Sequence, residues 1–263
     1  MSKTMAYSLN AWRLVRIHGR DPIALLNGQT TVDMKKLVEG QGVAGAICTP
    51  KGRMVANFGV ALFQGDAYLS LPADRVEAVE QALAKFLPFF GCQYEVTEWR
   101  GLGDTTPMQA EIQMDIGGLI EGWSPQFSDG KPGWEALRIE RALAWISDSS
   151  HEAYTPQQLH LQSLGGISFT KGCYSGQEVV ARTEHLGAVK KTVRPVILDQ
   201  PEAAGDLFVE DRKVGSLINV FGTHGLAVLG AEIDECVTTD GILASVQPLP
   251  FEIVSPLKLK RNQ

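Results

Sequence analysis

The sequence predicts an α+β protein: a large N-terminal region of mixed strands and helices, followed by a small C-terminal β-barrel. Two observations carry this. The order strand–strand–helix–strand between residues 42 and 99, with turn residues between neighbouring strands, suits an antiparallel sheet with helices on it rather than a doubly wound parallel sheet. From Thr192 onward the chain reads only as short strands parted by turn residues, the pattern of a small barrel. We place the boundary near Lys191, giving regions 1–191 and 192–263, and divide the first into two α+β lobes, the second over about residues 46–116.

The elements follow in chain order. Apolar residues around Trp12–Ile17 read as a strand. Asp21-Pro22 opens a helix over IALLNGQ, because Asp caps a helix start and Pro suits its first turn. Gly28–Thr31 interrupts it before a short turn segment to Val38. VAGAICT and MVANFGVALF are strands separated by Pro50-Lys51-Gly52-Arg53, where Pro presets one dihedral and Gly tolerates a positive one. Gly65-Asp66 turns the chain into AYLSL. Val76, Val79, Leu83 and Phe86 stand at helical spacing under an Asp74 cap, and CQYEVTEW is a further strand. The Gly-, Pro- and Ser-rich segment 117–133 reads as an exposed loop, and WEALRIERALAWI as an amphipathic helix. VRPVILD, GDLFVE, RKVGSLINVF, HGLAVLGA and ILASVQPLPF are the barrel strands.

Composition narrows the function classes. Of the 263 residues 44% are apolar and 21% charged, which is ordinary for a globular protein and excludes disordered and fibrous classes. No run approaches the roughly 20 apolar residues of a membrane span, and the N-terminus lacks a signal-peptide core, so a cytoplasmic protein is expected. Four separated cysteines, with no C-x-x-C pair, form neither a disulfide framework nor a metal-binding motif. A formal charge of −6 argues against direct nucleic-acid binding, which calls for a basic face. A monomer is the default.

Chemistry concentrates between Leu161 and Gly187, LQSLGGISFTKGCYSGQEVVARTEHLG. Glycines at 165, 166, 172 and 176 surround Cys173, which stands beside Lys171 and just ahead of the helix-like GQEVVAR. Glycine lets a backbone approach a ligand closely. A nearby cation and a helix N-terminus both favour thiolate, so this is a candidate reactive loop. Against it stands the usual fate of a lone cytosolic cysteine, burial as a small inert apolar side chain.

The eight residues Lys171–Glu178, KGCYSGQE, resemble the K-G-C-Y-x-G-Q-E signature of the YgfZ family. Leu164–Phe169 and Val180–Arg182 on either side fit the same family, as do GQTTVDM at 28–34, CTPKGRMVAN at 48–57 and VQPLPF at 246–251. The markers follow family order along nearly the whole chain. The resemblance implies a fold like that of the glycine-cleavage T-protein: two α+β lobes and a C-terminal barrel around a central opening. It further implies binding of tetrahydrofolate or a one-carbon derivative, and support of iron–sulfur enzymes or assembly proteins, including a radical-type tRNA thiomethylation enzyme.

Residues carried over by this resemblance are Cys173 as the functional thiol with Lys171 beside it, and Trp12 and Trp134 as folate contacts. Arg138, Glu140, Tyr174, Gln177 and Glu178 complete the implied ligand set. An aromatic face can stack on a pterin, and an ionised Glu140 can accept from its amino groups; both tryptophans also suit ordinary cores. Arg141-Ala142-Leu143 departs from the family, which has Gly, an apolar residue and Pro there. Lys51, Arg53, Lys171, Arg182, Lys190 and Lys191 are candidate partners for a glutamate tail; His185 could act near neutral pH, but a lone histidine beside Glu184 is usually a surface residue. The alternative is a tetrahydrofolate-dependent aminomethyltransferase or demethylase. T-proteins place a carboxylate in the strand equivalent to MVANFGV, whereas this chain has Ala56-Asn57, and an amide cannot do a carboxylate's acid–base work. No turnover is implied by residues alone.

Overall fold

The computed structural model describes residues 5–186 and 189–253. Its first part is one nine-stranded sheet. In chain order the elements are β1 (Tyr7–Ser8), β2 (Trp12–Gly19), α1 (Pro22–Gln29), β3 (Gln41–Cys48), β4 (Met54–Phe63), β5 (Asp66–Pro72), α2 (Val76–Ala84), α3 (Leu87–Phe90), β6 (Cys92–Val96), β7 (Arg100–Asp104), β8 (Ile112–Asp115), β9 (Ile120–Ser124), α4 (Trp134–Glu140) and α5 (Gln177–Leu186). The strand order is β1-β7-β9-β8-β3-β4-β5-β2-β6, antiparallel except for the parallel pair β3–β8. Strands β10 (Lys191–Leu198), β11 (Gly205–Val209), β12 (Arg212–Phe221), β13 (His224–Gly230), β14 (Glu235–Thr238) and β15 (Leu243–Val246) close a barrel in the order β10-β13-β12-β11-β14-β15.

The central strand β4 is buried along almost its whole length, because both faces of the sheet are covered. One face, with Val15, Ile17, Phe58, Val60, Leu69 and Leu71, packs under α1 and α2 through Leu25, Leu26, Val79 and Leu83. The opposite face carries Trp12, Leu14, Tyr68, Ile112, Met114 and Trp123 and meets α4, the 142–146 segment and the outside of the barrel. Alternation along β13 divides the barrel cleanly: Leu226 and Val228 face the sheet domain, while Ala227 and Leu229 fill the barrel interior. Asp21 caps α1 through a hydrogen bond from the Ala24 N–H (2.9 Å), as its sequence position suggests. Gln64 and Gly65, both at positive φ, make the tight turn into β5.

Four expectations are corrected. Segment 117–133 is not a loop throughout: β9 lies within it, with Glu121, Gly122, Trp123 and Ser124 buried. The helix expected over residues 134–146 stops at Glu140. Ala142 turns left-handed at φ 54°, and Leu143–Ile146 continue without helix. Asp74 does not cap α2, which has no side-chain cap; its carboxylate accepts from the Asp148 N–H (3.0 Å). The barrel gains a strand, β14, that composition left as turn, and the last strand ends at Val246 instead of continuing through Phe251.

Candidate functional site

The sequence markers converge in space. Thr31, from the 28–34 segment, donates its hydroxyl to the Gly166 carbonyl (2.6 Å) and accepts from the Ala46 N–H (3.0 Å). Its carbonyl accepts from Ser168 N–H at 2.8 Å. Lys171 extends its ammonium to the carbonyls of Thr30 (2.8 Å) and Val32 (2.5 Å), immediately past the C-terminus of α1. A cation there satisfies orphaned carbonyls and complements the helix dipole. On the other side of the loop, a Cβ added at Gly176 (φ 82°) would lie 2.4 Å from the Thr49 carbonyl oxygen. Gly52 in turn sits against Val179 of α5. Gly176 therefore has two reasons to be glycine, backbone hand and close approach. Cys173 is exposed on a loop tied down at both ends.

Burial separates this thiol from the others. Cys48, Cys92 and Cys236 are buried, and burial pushes Cys48 up to about 12 and Cys236 to about 11. Lys171 is drawn down to about 8 by desolvation, which Asp33 opposes. Its hydrogen bonds go to backbone carbonyls, so the lysine anchors the loop instead of pairing with the thiol. Tyr174 is buried beneath that ammonium, 5.1 Å from ring centre to Nζ, and desolvation raises its phenol strongly. Gln177 is the half-buried first residue of α5, and Glu178 is exposed in its first turn. The His185 side chain lies outside the described residues.

A second constellation lies on the face of the sheet that meets α4 and the 142–146 segment. Glu121 on β9 is 1% exposed and accepts from Arg138 Nη1 (3.0 Å) and from the Ser70 hydroxyl (2.5 Å). Arg138 is 4% exposed, and its guanidinium lies 5.4 Å from the Trp12 ring centre and 5.7 Å from that of Trp145. Those two indoles meet edge-to-face at 5.6 Å. Burial raises the Glu121 carboxyl and lowers the Arg138 guanidinium, each opposed by its partner. Arginine begins above 12 and keeps its proton, so the carboxylate beside it is the acceptor. The buried Nε of Arg138 has no hydrogen-bond partner among the described residues. Trp12 also lines a cleft of about 450 Å³ with Leu9, Arg13, Trp99 and Trp123.

Sequence-derived candidates fare unequally. Trp12 and Arg138 come together, whereas Trp134 is 0% exposed with its ring pressed on Gly103, where an added Cβ would fall 2.3 Å away. Trp12 is itself only 4% exposed and differs from Trp134 in reaching the lining of the cleft. Glu140 is exposed at the end of α4, and the carboxylate beside Arg138 belongs to Glu121 instead. Glu121, Ser70 and Trp145 were missed. Glu121 lay in a segment that composition marked as loop, and Trp145 in what looked like a helix.

Trp145 is held by two asparagines. Asn57 on β4 donates to the Ala144 carbonyl (2.8 Å) and accepts from Ile146 N–H (2.8 Å). Asn219 on β12 donates to the Trp145 carbonyl (3.0 Å) and accepts from Trp145 N–H (3.1 Å). A register shift between Leu217 and Asn219 interrupts the β12–β13 ladder there, the kind of irregularity that re-aims a side chain. Both ends of the Asn57 amide are thus spent on backbone.

None of the known protein-family models matches the chain. The tRNA-modifying protein YgfZ of Hamiltonella defensa is 32% identical over 229 residues, 70% of this chain and 67% of that protein. An uncharacterized protein of Haemophilus influenzae is 31% identical over 274 aligned positions, 94% of this chain and 98% of that one. The tRNA-modifying protein YgfZ of Yersinia pseudotuberculosis is 27% identical over 94% of this chain. Among solved structures, the glycine cleavage system aminomethyltransferase T of Bartonella henselae superimposes with TM-score 0.67 at 16% identity, covering 95% of this chain and 87% of that one. The fold is therefore that of the glycine-cleavage T-protein, as the resemblance implied. With a YgfZ protein 32% identical across two thirds of its length, and the KGCYSGQE loop held by marker segments 28–34 and 48–57, the chain belongs to the YgfZ family.

Proposed function

We propose that this protein binds tetrahydrofolate or a one-carbon derivative and serves iron–sulfur enzymes or their assembly proteins in the cytoplasm, a radical-type tRNA thiomethylation enzyme among them. Cys173 is its working thiol. The observation that carries the reading is the exposed Cys173 on a loop braced by the other marker segments of a YgfZ-family chain, while the three remaining thiols are buried. Among the described residues no helix is long and apolar enough to cross a membrane.

The residues present fit a folate. A pterin is flat and heteroaromatic, with donors and acceptors along its edge, and asks for aromatic walls and a few placed polar groups. Trp12, Trp145, the buried Glu121 carboxylate and the unpartnered Arg138 Nε are such a set. A bound folate would supply one-carbon chemistry. The chain's own residues bind and orient it, and Cys173 provides a nucleophile at the surface. Asn57, locked between Ala144 and Ile146, supports an accessory role over aminomethyl transfer or demethylation.

The test is complementation. A bacterial strain lacking this protein would receive wild type, Trp12→Ala or Cys173→Ser, and thiomethylated tRNA nucleosides would be measured by mass spectrometry. Restoration by wild type and failure of both variants is expected. Full restoration by Cys173→Ser would sink the thiol's role.

A further inference from the structure

We propose that the surface around α5 is a docking site for an acidic segment of a partner protein, independent of whether folate binds. The protein carries a net charge of −6, yet five exposed cations gather here: Lys51, Arg53, Arg182, Lys190 and Lys191. Their proximity follows from contacts already described and three more. Lys51 and Arg53 flank Gly52, which touches Val179, one helical turn before Arg182 on α5. Arg53 Nη1 donates to the Ala153 carbonyl (2.6 Å) and to Gln158 Oε1 (3.4 Å), and Gln158 Nε2 donates to the Lys191 carbonyl (3.5 Å).

Arg53 is held by neutral acceptors alone, and its charge, like those of the other four, meets no carboxylate partner among the described residues. Among the described residues none of the five makes an ion pair, while Arg16, Lys36, Arg75, Arg100, Arg138 and Lys213 all do. Even with Glu178 exposed four residues before Arg182, the excess of positive charge raises the energy of the free protein, and carboxylates from outside relieve it. Val179 lies in the middle of the ridge, 36% exposed, and Cys173 is exposed three residues before Gly176, which packs on the same turn.

A protein segment suits this surface better than RNA. Helix α5 is ten residues long, about 15 Å, which an extended peptide of roughly five residues spans. The apolar group on offer is aliphatic, and none of the exposed large aromatic side chains, Phe89 and Phe221, lies on the ridge, so bases lack a stacking platform. The negative balance of the whole chain repels an extended polyanion beyond the reach of the patch. A short acidic strand bearing an apolar residue would pair with the cations, cover Val179 and bring its own protein up to Cys173.

The probe is a fluorescein-labelled peptide of glutamates interrupted by two leucines, followed by fluorescence anisotropy with the full-length protein. Lys51→Glu with Arg182→Glu, and separately Lys190→Glu with Lys191→Glu, should each weaken it at least tenfold. Lys35→Glu with Lys85→Glu, exposed cations elsewhere, should change it less than twofold. Affinity should fall steeply with salt. Unfractionated tRNA and folate pentaglutamate serve as competitors and should not displace the peptide at equal charge concentration. Failure of the wild type to bind, equal affinity in ridge and control variants, or displacement by either competitor would overturn the proposal; displacement by tRNA would make the ridge a nucleic-acid surface.

Discussion

Replacing Glu121 with Gln tests the buried pair at the centre of the second constellation. The side chain keeps its shape but loses its charge, leaving Arg138 at 4% exposure without its hydrogen-bonded carboxylate and with only Glu135 acting on it through space. Orphaning one partner of a buried ion pair costs about 3–5 kcal/mol, because an uncompensated charge then remains out of water. The Ser70 hydrogen bond at 2.5 Å also changes from a charged to a neutral acceptor, worth about 1 kcal/mol of that figure. A domain stable by about 5–15 kcal/mol feels such a loss strongly. Urea unfolding followed by tryptophan fluorescence reads it as a lower midpoint at unchanged slope. The double variant Glu121→Leu with Arg138→Met removes both charges and should cost well under the sum of the single variants, since neither charge is then stranded. A cost for Glu121→Gln below about 1 kcal/mol, or strict additivity in the double variant, would refute the reasoning.

Other expectations follow from the same contacts. Under native conditions at pH 8 a chromogenic disulfide reagent should modify one thiol quickly and three slowly, and Cys173→Ser should remove the fast phase. Lys171, lowered to about 8 in the fold against about 10.5 unfolded, binds fewer protons folded than unfolded between those values. Wild-type stability relative to Lys171→Met should therefore rise between pH 8 and 10.5 and fall as pH returns through 8, measured by denaturant midpoints across that range. Gly103→Ala should destabilise by about 3 kcal/mol or more, because its methyl would collide with the Trp134 ring; a melting temperature unchanged within a degree would contradict this. Asn219→Ala should cost about 1–3 kcal/mol by stranding the Trp145 backbone N–H and carbonyl, read as a lower urea midpoint; an unchanged midpoint would contradict this.

The parts of the fold legible in the sequence were those where local signals and tertiary demands coincide. Asp21-Pro22 opens a helix that the sheet also needs there, and the Gly-bearing turns around residues 52 and 65 sit between strands that pair. The misreadings fell where long-range contacts set the backbone. Residues 134–146 have helical spacing and three alanines that favour a helix, but Asn57 and Asn219 claim the backbone of 144–146, and Ala142 turns left-handed to allow it. Strand β9 hides among glycines because Gly122 within it packs against Met108, whose sulfur an added Cβ would approach to 2.5 Å, so a small residue marks a packed sheet as much as a loop. At the site, KGCYSGQE announced itself by local composition. Glu121 did not, since a carboxylate reveals its role only when an arginine 17 positions away folds back onto it.

The most direct test of the account is calorimetric titration of the wild type, Trp12→Ala and Cys173→Ser with tetrahydrofolate. The account predicts binding by the wild type, at least tenfold loss (about 1.4 kcal/mol) in Trp12→Ala, and affinity within twofold of wild type in Cys173→Ser. That pattern would place the ligand beside the Trp12–Arg138–Trp145 group and leave the thiol for chemistry. No heat of binding with the wild type would contradict the account and leave a T-protein fold used as an interaction scaffold.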